Sequence, residues 1–246
     1  MIYETIDTKF NELALNIKEY FTYDTNKTLF KKRNEIKVIT YQSDQYAVKS
    51  FKVPHLLNQI VYNFFRESKA KRSYKNSLKL LDLDVNTPSP IAYIEFREKL
   101  FFKESYYISD FFDYDFEIRA VFKDKAFEDR EKILTLFTEF TFNLHEKGVY
   151  HIDYSPGNIL VKKVDNNYIF YIIDVNRMQF KDFNIDLRMK SMAKLTKNKE
   201  DNNFIIKYYA EISGIDSLIL SEKFDFYLNE QQRYLTNKKR LKKIKG

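Results

Sequence analysis

Polar and apolar side chains alternate in the first third of the chain, as in Glu35-Ile36-Lys37-Val38. A period of two marks half-buried strands. The pattern predicts strands over 28–40 and 44–52, joined at Ser43-Asp44. An amphipathic stretch over 10–20 precedes them, and a long helical region follows over 56–81. Thr87-Pro88-Ser89-Pro90 ends that region, because proline disfavours helix at the preceding residue. Further strands over 91–96 and 106–111 complete an N-terminal sheet, and Asp110-Phe111-Phe112-Asp113 is the expected crossing into a second lobe. Beyond it the period changes. Ile133, Phe137, Phe140 and Leu144 recur at spacings of four, three and four, one face of a helix over 127–147 with Gly148 at its C′ position. Two more helices are expected over 201–213 and 216–236, with Gly214 as the stop and Asp216 as the start.

The candidate chemistry lies just after Gly148. Residues 151–158 read His-Ile-Asp-Tyr-Ser-Pro-Gly-Asn and place His151, Asp153 and Asn158 in the spacing H-x-D-x-x-x-x-N. A chain of this composition contains only about 0.02 such matches by accident. Ile159-Leu160-Val161, a polar turn at Asp165-Asn166-Asn167 and the apolar run Tyr171-Ile172-Ile173 follow, ending in Asp174. Phosphoryl transfer is catalysed by positioning and by neutralising charge, and it uses this spacing. One carboxylate must sit beside the attacking hydroxyl, and Asp153 takes that place. Magnesium needs further oxygen ligands, which Asn158 and Asp174 supply. Pro156-Gly157 turns the loop back on itself, and His151 organises the loop rather than carrying a proton. Ala47-Val48-Lys49 ends a strand, so Lys49 fits the ammonium that contacts the α- and β-phosphates of a nucleotide, with Lys52 as its competitor.

Residues 144–153, Leu-His-Glu-Lys-Gly-Val-Tyr-His-Ile-Asp, resemble the approach to the catalytic loop in protein-kinase-like folds. In detail the chain looks most like the lipopolysaccharide kinase family, the bacterial enzymes that phosphorylate Kdo or heptose in the inner core. Val48-Lys49-Ser50-Phe51-Lys52, Ser68-Lys69-Ala70-Lys71-Arg72-Ser73-Tyr74, Thr87-Pro88-Ser89-Pro90-Ile91-Ala92 and Ile173-Asp174-Val175-Asn176-Arg177 are similar too. The resemblance covers residues 30–235 and is specific over 144–180. It implies an α+β, two-lobed protein-kinase-like fold with a small antiparallel-sheet N-terminal lobe and a mainly helical C-terminal lobe. The lobes are expected over 1–110 and 111–236, followed by a basic tail over 237–246. It further implies ATP and Mg2+ as cofactors and a lipid A-core glycolipid as acceptor, phosphorylated on Kdo or, second, on heptose.

Several positions depart from kinase patterns. Lys31-Lys32-Arg33-Asn34-Glu35 stands where a glycine-rich phosphate loop would be, in a chain with only 4 Gly, so the side chains of Lys32, Arg33 or Asn34 must substitute for backbone contacts. The acid that should pair with Lys49 falls near Tyr74-Lys75-Asn76, where Lys75 is found. Glu67 is the nearest alternative, although eight residues place it about 80° round a helix from Lys75. Asp174 is followed by Val-Asn-Arg rather than Phe-Gly, and Arg177 is a candidate to orient its strand. Ser155 replaces the basic residue expected two positions after the loop Asp of a Ser/Thr protein kinase, and no Ala-Pro-Glu follows. Both changes favour a small-molecule or glycolipid acceptor over a peptide. Arg66, Lys69, Lys71, Arg72 and Lys75 form a basic stretch, read either as a solvated helix face or as a contact for an anionic acceptor. A protein kinase is the runner-up, and a pseudokinase-like scaffold is the rival that Lys75 and the glycine-free loop motivate.

Composition narrows the field. The net charge is +7, but residues 238–246 hold six cations and no acid, which leaves +1 on the remainder. A nucleic-acid partner therefore has only a tail to rest on and is not expected. The same tail suits an anionic membrane surface. There is no Cys, hence neither a disulfide framework nor a thiolate zinc site. No basic segment followed by an apolar core opens the chain, and no apolar run reaches bilayer-spanning length. The expected location is cytoplasmic, or peripheral at the cytoplasmic face of the inner membrane.

Overall fold

The computed structural model describes residues 1–31, 34–51, 67–98 and 101–244. Two compact units emerge: Met1–Asp113 together with Ile172–Arg177, and Tyr114–Tyr171 together with Met178–Gly246.

The first unit is built on six strands, β1 (Ile2–Thr5), β2 (Lys27–Lys31), β3 (Asn34–Tyr41), β4 (Asp44–Phe51), β5 (Pro90–Glu98) and β6 (Phe101–Asp110). They form one antiparallel sheet in the order β1-β5-β6-β4-β3-β2. The single strand expected over 28–40 is in fact two: β2 and β3 pair antiparallel, with Lys31 opposite Glu35. Residues 31–35 are five polar residues in a row, but neither Gly nor Pro stands among them to mark the reversal. β3 and β4 are joined through Gln42 and Ser43, both at positive φ (49° and 72°).

Period-two alternation sends successive side chains to opposite faces. On one face Val48, Ile39, Ile94 and Ile108 pack with Phe10 and with Leu13, Ile17 and Phe21, the last three carried by two short helices, α1 (Asn11–Leu15) and α2 (Ile17–Thr22). On the other, Phe51 and Tyr93 pack with Ala70 and Tyr74 of α3 (Lys69–Asp82). Lys49 falls on this second face, its Nζ 5.4 Å from the centre of the Phe51 ring. The helix expected from residue 56 begins, among the described residues, at Lys69, after Ser68 as N-cap, whose Oγ accepts the Lys71 N–H at 3.0 Å. Glu67 therefore precedes the helix rather than lying on its surface. Residues 52–66, with Lys52 and Arg66, lie outside the described residues.

Backbone carbonyls and amides tie Ile172–Arg177 into this unit. The Ile172 N–H donates to the Asn86 carbonyl (2.9 Å), the Thr87 hydroxyl to the Ile172 carbonyl (2.8 Å) and the Asn76 amide to the Val175 carbonyl (2.7 Å).

The second unit holds β7 (Phe116–Glu117), α4 (Ile118–Lys123), α5 (Arg130–Glu146), β8 (Val149–His151), β9 (Ile159–Val164), β10 (Asn167–Ile172) and β11 (Met178–Phe180). Three helices follow: α6 (Ile185–Met192), α7 (Lys199–Ser213) and α8 (Ser217–Ile244). The strands make two small sheets, β10-β9-β7 and β11-β8. α5 buries Ile133, Phe137 and Leu144 as its spacing predicts, while Phe140 is only half-buried and stacks on Phe170 at 5.4 Å. Thr138, Thr141 and His145 complete the buried face. Such polar burial requires bonded groups. The two threonine hydroxyls donate to the Leu134 and Phe137 carbonyls at 2.7 and 2.9 Å. His145 lies between the Tyr209 and Ser191 hydroxyls, each at 2.8 Å, with Phe183 stacked on its ring. Gly148 and Gly214 end α5 and α7 at φ 66° and 67°, where a side chain is disfavoured. α8 runs on to Ile244, so most of the tail expected over 237–246 is the last turns of a helix. No helix among the described residues is long and apolar enough to cross a membrane.

Candidate active site

In the second unit β8 delivers the H-x-D-x-x-x-x-N loop. His151 is buried and pairs with Met178 of β11. Its Nδ1 accepts the Asp153 N–H and its carbonyl accepts the Tyr154 N–H, both at 3.1 Å, so ring and backbone hold the same turn. Tyr154 points into the core. The Thr141 hydroxyl spends its hydrogen on Phe137, so the Tyr154 O–H must donate to Thr141, at 2.8 Å. Burial raises the Tyr154 phenol above its ordinary pKa and keeps it neutral. With Tyr154 anchored inward, the neighbouring Asp153 is left exposed.

Asn158 closes the loop. Its N–H donates to the Ser155 carbonyl at 2.9 Å and its Nδ2 to the Asp153 carbonyl at 2.9 Å. A carbonyl cannot donate, so the amide must present nitrogen here, and Oδ1 is the end left for a cation. Two basic side chains reach the loop from elsewhere in the unit. The Lys194 ammonium donates to the Ile152 carbonyl. The Arg119 guanidinium lies across Gly157, where an added Cβ would meet it at 1.7 Å. Neither has a sequence signature, since both come from distant segments with no motif around them.

In the first unit Lys49 Nζ donates to Asp174 Oδ1 at 2.6 Å. The lysine side chain is 15% exposed and the carboxylate 37%, so this pair is screened less than a surface bridge. Asn176 Nδ2 donates to the same oxygen at 2.6 Å, and Asp174 holds a left-handed backbone (φ 58°). Asn76 and Asn176 orient this segment, whereas Arg177 is exposed. Only the Asn two positions after Asp174 was visible as a local signal.

Glu67 is not the partner of Lys49. Its carboxylate meets Lys75 at 2.5 Å and Lys71 at 3.9 Å, so the Lys75 that displaced the expected acid also occupies its substitute. Lys32 and Arg33 lie outside the described residues. The basic stretch is not one solvated face: Lys69 and Lys71 lie over the Phe51 and Tyr93 rings at 5.9 and 5.7 Å, while Lys75 is exposed.

Comparison with known proteins gives these two sets of residues a context. The profile of the lipopolysaccharide kinase (Kdo/WaaP) family matches residues 30–213. No curated protein matches the chain. Among solved structures, WaaP in complex with acyl carrier protein is 14% identical and covers 94% of this chain and 99% of its own, with a TM-score of 0.64. The MAP kinase LmaMPK10 from Leishmania major is 18% identical over 81% of this chain and 60% of its own, with a TM-score of 0.46. A double mutant of the Mycobacterium tuberculosis PknI kinase domain is 13% identical over 77% and 74%, with a TM-score of 0.45. At such identities the likeness is one of fold: a protein-kinase-like α+β chain with an antiparallel-sheet N-terminal part and a helical C-terminal part. With the family profile matching most of its length, this chain belongs to the lipopolysaccharide kinase (Kdo/WaaP) family.

Proposed function

We propose that the chain transfers the γ-phosphate of ATP to a Kdo sugar of a lipid A-core glycolipid, with heptose as the second candidate. The observation that carries this reading is the loop itself: an exposed Asp153 whose backbone is fixed from both sides by His151 and Asn158. Asp153 takes the proton of the attacking hydroxyl, whose oxygen forms the new bond to phosphorus as the bond to ADP breaks. His151 positions the loop. Lys49 contacts the α- and β-phosphates, and Lys32 and Arg33 replace the missing glycine-rich turn.

The donors fit magnesium. An amide oxygen on Asn158 and a carboxylate on Asp174 are the hard oxygen ligands that this ion prefers. When bound, it neutralises charge on the triphosphate. The lipid-linked acceptor and the cations at the end of α8 favour a cytoplasmic location at the face of the inner membrane.

Asp153→Asn tests the reading. The variant should fold and bind nucleotide as wild type does while single-turnover transfer falls about a hundredfold or more. The acceptors are a Kdo-bearing lipid A precursor and a generic protein, each with radiolabelled ATP and magnesium. Labelling of the protein and not of the glycolipid would overturn the reading in favour of a protein kinase.

A further inference from the structure

No Lys or Arg stands between Asp153 and Asn158, so the loop has no cation of its own. Strand pairing brings one to it. β7 and β9 are antiparallel with Glu117 opposite Leu160, which sets the start of α4 against the end of the loop. Ile118 and Val121, both fully buried, anchor α4 and leave Arg119 beside the loop. Its guanidinium takes the space that a side chain on Gly157 would fill, with Nη2 1.7 Å from where the Cβ would stand. Gly157 is not among the glycines at positive φ, so its backbone does not itself demand glycine. Room for the guanidinium is what its missing side chain provides. Among the described residues the ionic partner of Arg119 is Glu117, whose carboxylate lies 3.5 Å from Nε. That leaves the Nη1 and Nη2 donors for a ligand, on a side chain 50% exposed. Asn158 reaches back to the Asp153 carbonyl at 2.9 Å and brings the ends of the turn together, so Arg119 borders the surface on which an acceptor meets Asp153.

We propose that Arg119 is a specificity-determining residue that binds the carboxylate of an acidic sugar acceptor. A planar guanidinium presents paired donors that match the two oxygens of a carboxylate. Kdo carries such a carboxylate and heptose carries none, so this one side chain discriminates between the two acceptors. Lys194, the other cation that reaches the loop, is engaged with the Ile152 carbonyl. The inference rests on the phosphotransfer reading above and narrows its acceptor.

Two acceptors and two variants test this. The acceptors are a Kdo-bearing lipid A precursor and the same precursor with the Kdo carboxyl methyl-esterified, which removes that charge and leaves the lipid A phosphates in place. Wild type should lose about ten- to a hundredfold in kcat/KM on the ester, the size of a lost charged hydrogen bond. Arg119→Gln should lower kcat/KM on the acid to the level of the ester, chiefly through KM for the acceptor, and should then treat the two alike. Arg119→Lys keeps the charge without the fork and should recover only part of the discrimination. KM for ATP and the melting temperature are measured alongside. A wild type that phosphorylates acid and ester equally well overturns the carboxylate assignment while the transfer reading stands. An Arg119→Gln variant that loses the same factor on both acceptors also overturns it, since the side chain then serves the fold or a lipid A phosphate. So does one whose change lies in KM for ATP. A wild type that phosphorylates neither acceptor overturns the transfer reading, and this inference with it.

Discussion

His145 shows how hydrogen bonds fix a charge state at a single residue. Arg188 donates to the Tyr209 oxygen at 2.9 Å, so the Tyr209 hydrogen is left for His145 Nδ1. Ser191 donates to the Arg188 carbonyl at 2.8 Å, so its oxygen accepts from Nε2–H. Both partners are satisfied only by the neutral ring protonated at Nε2. Burial, and then the Arg188 charge, push its pKa down to about 3. An unfolded His takes up a proton near pH 6.5, so acid favours the unfolded chain. This contribution is complete above about pH 6.5 and is lost as pH falls towards about 3, with a limiting slope of about 1.4 kcal/mol per pH unit. Urea midpoints of wild type and His145→Gln between pH 7 and pH 4 should therefore converge as the solution is acidified; a constant gap would mean that His145 does not titrate in this way. Asn158→Ala and Asp174→Ala should each weaken the magnesium dependence of transfer, Asp174 more, because it removes an anionic ligand. A magnesium titration would show unchanged curves if neither is a ligand. The H-x-D-x-x-x-x-N residues were legible because their spacing is local. The partner of Lys49 was not, since Lys49 and Asp174 are 125 residues apart and only the folded first unit joins them.

Among the elements, the β3–β4 hairpin carries a visible strain. Its two central residues, Gln42 and Ser43, sit at φ 49° and 72°, the geometry that a two-residue hairpin turn demands and that Asn-Gly meets most cheaply. Ser43→Gly should stabilise the protein by about 1 kcal/mol, from the relieved left-handed penalty less the added chain entropy. Chemical denaturation measures this, and nucleotide affinity should not move because Lys49 keeps its register opposite Tyr107. Where the sequence is periodic its elements were readable: β4, β5 and α5 fall close to where alternation or four-three spacing put them, while β6 begins at Phe101, ahead of the strand expected from residue 106. The reversal between β2 and β3 was not readable, because the polar run 31–35 that breaks the alternation contains neither Gly nor Pro to mark a turn. Nor was Glu67, whose reading as a helix-surface acid failed once Ser68 capped α3 after it.

For the whole molecule, charge and chain order matter most. α8 carries exposed Tyr234 and Leu241 (58% and 59% exposed), and its last turns run through Lys238, Lys239, Arg240, Lys242 and Lys243, a combination suited to an anionic lipid surface. Ending the chain at Thr236 should lower binding to anionic vesicles, by at most about 1 kcal/mol for each cation removed. Sedimentation with vesicles decides: binding that is equal with and without the tail, and indifferent to salt, sinks the idea.

The composition of the first unit also sets a timetable. All six strands of its sheet are made by Asp110, yet Ile172–Arg177 leaves the ribosome only after Tyr171. Until then Lys49 lacks its carboxylate, and the Thr87 hydroxyl, on a residue 4% exposed in the finished fold, lacks its acceptor. A chain stalled before residue 172 thus holds every strand of this unit but not the bonds that complete it. The lysine–carboxylate pair forms only on chains translated past Asp174, which makes it a mark of completed synthesis as much as a feature of the site.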